Sequence, residues 1–167
     1  EDGSYLSESS AILQYLATVN KVDAEYPVDA IERARVHEAM LQVDTLARKV
    51  TFLAFRPFVF KKLMGAEMPP LEDVINKNAP ELAWSLGVLD ANFGKQKYAA
   101  GAKFTIADYP IASELNQLIA IAPLLNDTTK LEKFANIARY LEDVKVVKGH
   151  DQTYGEAAGA AAFGMSK

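Results

Sequence analysis

Cysteine is absent from the 167 residues of this chain. A disulfide scaffold and a zinc ribbon are both built on cysteine, so both are excluded. Histidine is scarce, with His37 and His150 the two copies. They stand far apart with no carboxylates at ligand spacing, and no metal site is expected. A basic excess is missing too: Lys and Arg total 18 against 22 Asp and Glu, a formal net charge of -4. Nucleic-acid-binding domains carry the opposite balance, so no nucleic-acid partner is expected. No apolar run approaches the ~20 residues of a membrane helix. The most apolar stretch, 50–60, is interrupted by Thr51, Arg56 and Pro57. Residues 1–20 lack the basic start and apolar core of a signal peptide, and a cytoplasmic location is expected. No Gly-x-Ser-x-Gly sequence, glycine-rich phosphate loop or dinucleotide fingerprint occurs. Position 1 is Glu1, not Met.

What is present reads as an ordered helical chain. Hydrophobic residues make up 50% and charged residues 24%, which suits a domain with a sizeable core and not a disordered segment. Asp2-Gly3 is a turn signal, and Ser7 is expected to cap a helix whose face is Ile12, Leu16 and Val19. Residues 21–29, with Pro27, read as a loop. The next helix is the longest: Val36, Ala39, Met40, Val43, Leu46, Ala47, Val50, Leu53 and Ala54 form one apolar stripe. Pro57 should bend or end it. Met68-Pro69-Pro70 is a break. Pro80 then falls inside a helical pattern, which predicts a kink or break near Asn78. Asn78 would cap a fresh helix with Pro80 in its first turn and Glu81 at the capping-box position. Leu82, Leu86, Leu89 and Phe93 form its face. Thr105 is an N-cap candidate with Asp108 reaching back to the free donors, and Phe104 and Tyr109 occupy the staple positions. That helix continues through Ile111, Leu115, Leu118 and Ile119, with Pro110 loosening its first turn. A last helix is expected over 131–144, with Phe134, Ile137, Ala138 and Leu141 inward. No strand is expected between residues 7 and 150. The Ala- and Gly-rich segment 151–167 reads either as a mobile terminus or as an extension that packs through small residues.

Most charged or aromatic clusters have structural readings. Arg33, Arg35, Lys49 and Lys61-Lys62 read as solvated helix charges, and His37 as a surface residue. Phe52, Phe55, Phe58 and Phe60 line an apolar pocket or pack the core at a helix bend. Leu6-Ser7-Glu8-Ser9 is the place where binding chemistry concentrates. A helix start presents unpaired N–H groups and the positive end of the dipole, which together attract carboxylates. Ser9 adds a hydroxyl donor, and Glu8 an acceptor for an ammonium group. Such a start suits a ligand carrying both carboxylate and amine, such as an amino acid.

These pieces together resemble a glutathione S-transferase. The run 2–16 looks like the strand-turn-helix that ends that family's thioredoxin-like domain. Phe104-Thr105-Ile106-Ala107-Asp108-Tyr109 is similar to the family's capping box and staple. Tyr26-Pro27 followed by Arg33-Ala34-Arg35-Val36 looks most like the theta class, and Asn136-Ile137-Ala138-Arg139-Tyr140-Leu141 like the usual late helix. The resemblance covers residues 1–150. It implies an all-α chain: the helical C-terminal transferase bundle over 28–150, preceded at 1–22 by the final helix of a truncated thioredoxin-like domain and followed by the 151–167 tail. It implies that Glu8 and Ser9 hold the γ-glutamyl end of glutathione, and that Thr105 and Asp108 serve folding. Arg48, Phe52 and Phe55 are candidates for the wall facing a small electrophile, and Asp44 is the nearest acid for a reach across a dimer. The family's catalytic Tyr, Ser or Cys has no counterpart here and is expected upstream of Glu1. The implied activity is conjugation of glutathione thiolate to an electrophile once that missing half is present, in a homodimer or a larger assembly. The alternative is a non-catalytic docking subunit, as in the gamma subunit of elongation factor complexes and in aminoacyl-tRNA synthetase assemblies.

Overall fold

The apolar stripe of the long second helix organises the fold. In the computed structural model, which describes residue 3 and residues 5–62 and 64–147, it begins as α2 (Ala30–Gln42). Asp2, His150 and the 151–167 segment lie outside the described residues. Asp29 caps α2, its Oδ1 accepting from the amides of Ile31 at 3.0 Å and Glu32 at 2.9 Å. The helical run continues through a π turn (Val43–Ala47), α3 (Arg48–Val50), a second π turn (Thr51–Phe55) and α4 (Arg56–Lys62). Val36, Ala39, Met40, Val43, Leu46, Ala47, Val50 and Ala54 are buried along it, and Leu53 packs partly buried against the same core.

Two prolines behave differently from the sequence expectation, and one side chain connects them. Pro57 does not end the run; it is buried inside α4. Proline has no N–H to give the carbonyl of Leu53 four residues earlier. That carbonyl accepts instead from Asn78 Nδ2 at 2.8 Å. Asn78 is therefore not a cap. It lies inside α5 (Leu71–Phe93), which runs unbroken past Asn78 and Pro80. The reason is burial. Leu71, Ile75 and Ala79 before Pro80, and Leu82, Leu86, Leu89 and Phe93 after it, form one buried face. Each buried Leu or Ile is worth about 1.5–3 kcal/mol, so a continuous face outweighs the ~3 kcal/mol of a single interior proline.

The remaining helices close the core. α6 (Asp108–Ala120) starts three residues later than Thr105, so Pro110 sits within its first turn, where the missing N–H has no helical acceptor to lose. Ile111, Leu115 and Leu118 are buried, whereas Ile119 is exposed. The single helix expected over 131–144 is divided. A 3-10 turn (Leu131–Lys133) is followed by a break at Phe134 and then α7 (Ala135–Val144). Its N-terminus is capped from a distance: Asp90 Oδ1 on α5 accepts from the amides of Asn136 at 2.8 Å and Ile137 at 3.0 Å. Ala138 is half-buried, and Tyr140 and Val144 join Phe134, Ile137 and Leu141 in the core.

α1 (Ser9–Val19) departs most from expectation. Leu13 and Ala17 turn inward, while Ile12, Leu16 and Val19 are exposed, together with Tyr5 and Leu6 before them. The apolar periodicity was that of a face the described residues do not cover. No strand occurs among the described residues, and no helix among them is long and apolar enough to cross a membrane.

The Pro57–Asn78 link makes a coupled prediction. Asn78→Leu leaves the Leu53 carbonyl without its donor and should cost about 1–3 kcal/mol in urea unfolding. In a Pro57→Ala background, which restores an amide at 57, the same substitution should cost distinctly less. Equal costs in both backgrounds would show that the two residues are not coupled.

Candidate functional site

The start of α1 is strained and open. Glu8 holds φ 70° and ψ 120°, a conformation that side-chain residues rarely adopt and that costs about 1–3 kcal/mol. Its carbonyl accepts from the Ile12 amide at 3.0 Å, which begins the helix. Neither Glu8 nor the expected Ser7 places a side chain on the first turn; the cap residue is Glu8, and it makes no side-chain cap. Among the described residues, the amides of Ser9, Ser10 and Ala11 therefore meet neither a helical nor a side-chain acceptor. Glu8 and Ser9 are both exposed beside them. An open positive end, a hydroxyl and a carboxylate thus share one turn.

The second set of candidates lies on the long run. Arg48 occupies the short α3 between the two π turns. Its Nη1 lies 2.9 Å from Asp44 Oδ1, and its Nε 3.5 Å from Glu114 Oε1 on α6. The Thr51 hydroxyl also donates to the Glu114 carboxylate. Asp44 thus engages an arginine of its own chain. Phe52 is half exposed, with the Arg56 guanidinium 5.6 Å from its ring centre. Phe55 is half-buried against the core, 6.1 Å from the ring of Phe58. No hydrogen bond or ion pair among the described residues joins Glu8 or Ser9 to Arg48. Cavities of about 230 and 420 Å³ meet at Arg35, but their linings carry both Lys and Asp or Glu and select no charge. Among the described residues, no group of three His, Asp or Glu is placed to hold a metal ion.

A third cluster centres on Asp108, whose side chain is wholly buried. Its Oδ2 accepts from the Thr105 amide at 2.8 Å and the Thr105 hydroxyl at 3.2 Å. Its Oδ1 accepts from the Ala99 amide at 2.7 Å and the Tyr140 hydroxyl at 3.1 Å. Burial raises its carboxyl above the ordinary 3.8, and the four hydrogen bonds oppose that rise. Phe104 and Tyr109 meet edge to face with ring centres 5.0 Å apart. Burial, then the hydrogen bond to Glu25, pushes the Tyr109 hydroxyl up to about 12.

One polar cluster was not anticipated. His37, expected to be solvated, has its Nε2 2.8 Å from the hydroxyl of buried Tyr26. The same hydroxyl donates to Gln14 Oε1 of α1 at 3.2 Å. The partners are eleven and twelve residues apart, a spacing that matches no local motif, so nothing in the sequence pattern announces them.

Residues 43–145 match the family described as "Glutathione S-transferase, C-terminal domain". Human glutathione S-transferase theta-2B is 33% identical over 124 residues, covering 72% of this chain and 50% of the relative. Elongation factor 1-gamma of Schizosaccharomyces pombe is 28% identical over 86% of this chain and 33% of its own length. Glutathione transferase F7 of Populus trichocarpa superposes with a TM-score of 0.76 at 21% identity, over 95% of this chain and 72% of that one, and shows the fold. The chain spans about half the length of the curated transferases it matches.

The geometry generates three predictions. Asp108→Ala strands the Ala99 and Thr105 amides in a buried site, and should cost about 3 kcal/mol or more in urea unfolding. Because the folded carboxyl holds its proton at a pH where the unfolded chain has lost it, the proton-linked stabilisation is full below the unfolded value. It is lost as pH rises through the folded value. The stability gap between the wild type and Asp108→Asn should therefore narrow as pH climbs from about 4. At Glu8, glycine accepts the observed backbone and alanine does not. Glu8→Gly should unfold about 1 kcal/mol harder than Glu8→Ala; equal stabilities would refute the strain.

Proposed function

The chain belongs to the glutathione S-transferase family through its C-terminal domain, and we propose that it serves the conjugation of glutathione to small electrophiles. The observation that carries this reading is the start of α1. A pure scaffold has no need of an open helix start flanked by an exposed carboxylate and hydroxyl. It has still less need of a strained Glu8 at that point. The γ-glutamyl end of glutathione carries an α-carboxylate and an ammonium. The carboxylate fits the free amides and the Ser9 hydroxyl, and the ammonium fits the Glu8 carboxylate.

The thiol-activating hydroxyl is assigned to residues preceding this segment. Such a donor stabilises the thiolate and lowers the thiol pKa, which raises the nucleophilic fraction at neutral pH. The thiolate sulfur then forms a bond to the electrophilic carbon, and the displaced group leaves with the electron pair. The exposed apolar side of α1, with Ile12, Leu16 and Val19, supports the reading that 1–22 belongs to a thioredoxin-like domain that covers it. Phe52 is the wall residue best exposed to a co-substrate, with Arg48 and Phe55 half-buried. Leu41 on α2 and Trp84 on α5 are large, exposed apolar side chains that support assembly as a homodimer.

The test is retention. The intact protein should bind immobilised glutathione and elute with free glutathione. The double substitution Glu8→Ala, Ser9→Ala should abolish retention while leaving the helical fold intact by circular dichroism. An intact protein that passes through the column would sink the proposal.

A further inference from the structure

α1 carries the proposed ligand end, yet it is held to the rest of the protein by little apolar packing. Ala17 is its one fully buried residue, and Leu13 is partly buried. The ties that remain run through the 20–29 segment. That segment is itself firmly seated. The Val22 amide donates to the Ala17 carbonyl at 2.9 Å, and the Tyr26 amide to the Val22 carbonyl at 2.9 Å. The Glu25 carbonyl receives the Ile106 amide at 3.0 Å, and its carboxylate receives the Tyr109 hydroxyl at 2.8 Å. Tyr26 is 6% exposed, with the Arg33 guanidinium 4.4 Å from its ring centre. Arg33 is fixed in turn, its Nε donating to the Pro27 carbonyl at 2.6 Å.

The Tyr26 hydroxyl has one proton and accepts as well as donates. Its proton goes to Gln14 Oε1, so the bond to His37 requires the Nε2–H of His37 to donate to the Tyr26 oxygen. The result is a directed chain from α2 through Tyr26 to α1. Each donor in it meets an acceptor, and the hydroxyl is satisfied on both sides. Gln14 lies five residues beyond Ser9 on one rigid helix, about 7.5 Å along the axis. Fixing Gln14 therefore fixes the orientation of the Glu8–Ser9 turn.

We propose that the His37–Tyr26–Gln14 relay positions α1, and with it the glutathione-binding turn, so that Tyr26 and His37 are positioning residues for glutathione. The inference rests on the reading of Glu8 and Ser9 given above. Neither residue touches the ligand. Loss of the relay weakens binding by letting the helix start swing, not by removing a contact to glutathione.

The experiment measures two quantities on the intact protein: the glutathione Kd by calorimetry and the amide hydrogen exchange of α1. Tyr26→Phe keeps the ring, its burial and its stack with Arg33, and removes the hydroxyl alone. It should weaken glutathione about three- to tenfold, the worth of one net hydrogen bond, and speed exchange in α1. His37→Leu should do the same, and His37→Gln, which keeps an N–H donor, should stay within about twofold of wild type. Asp29→Ala is the control for general damage. It removes the α2 cap nearby, so it should lower stability and leave the Kd unchanged. Three results overturn the proposal: Tyr26→Phe binding glutathione as wild type does, His37→Gln failing to rescue, or Asp29→Ala weakening glutathione equally. The reading beneath it is tested separately by Glu8→Ala. If that variant binds glutathione normally, the ligand end is misplaced and the relay's role toward it falls too. Faster exchange in α1 of Tyr26→Phe would then show that the mechanical tie is real and only its purpose was misread.

Discussion

A carboxylate buried without a counter-ion is held only if donors surround it, and the arrangement of donors around Asp108 sets the shape of the bundle. Its four donors come from three residues. Ala99 belongs to the loop after α5, Thr105 to the turn before α6, and Tyr140 to α7. Hydrogen bonds to a charged group are worth more than neutral ones, and losing the acceptor takes a partner from every donor at once. The Tyr140 ring is itself fixed, stacked on Phe93 with centres 4.0 Å apart. One side chain therefore joins the end of α5, the start of α6 and the middle of α7. The turn at 105–108 also receives the Glu25 carbonyl through Ile106, which extends the same hub to the segment leading out of α1.

A second long-range polar device repeats the logic. Asp90 on α5 caps α7, and Asn78 on α5 donates to the Leu53 carbonyl that Pro57 leaves bare. Arg139 on α7 returns the favour to α5 by donating to the Phe93 carbonyl at 2.6 Å. α5 thus acts as a spine whose polar residues complete the backbones of its neighbours. Its apolar residues fill the core between them. That dual use explains why a proline inside it is tolerated: both faces constrain the helix, and a break would undo both.

The sequence was informative where side chains act within one turn or along one stripe. The long stripe from Val36 to Ala54, the Asp29–α2 boundary and the Thr105–Asp108 turn all lie within that reach. It was uninformative where a distant side chain completes a local defect. Pro57 and Pro80 read as breaks because their compensation, Asn78 in one case and a continuous buried face in the other, is visible only in three dimensions. The split before α7 and its cap from Asp90 failed for the same reason. α1 failed differently. Its period was read correctly as helical, but periodicity reports which face is apolar and not which face is covered. Glu8 and Ser9 were singled out by residue type, while the left-handed backbone at Glu8 has no signal in a glutamate. Tyr26 and His37 escaped notice because each looks ordinary alone.

The asymmetry between the two halves of the described chain has a physical meaning. The helical bundle is cross-braced: Asp90 caps α7, Asn78 serves the Leu53 carbonyl, and Arg139 serves the Phe93 carbonyl, each from another helix. α1 is under-determined, with an apolar side outward, a strained residue at its start and one hydroxyl relay at its middle. A rigid body therefore carries a weakly seated element that presents free amides. Binding energy is lost when a site must first be ordered, so such an element gains most from each added constraint. On the proposed reading, a ligand that closes the open helix start would supply one constraint, and a domain covering Ile12 and Leu16 would supply another. Because both act on the same eleven-residue helix, the two constraints reinforce one another: whatever seats α1 against the bundle sharpens the turn, and whatever fills the turn favours the seated helix.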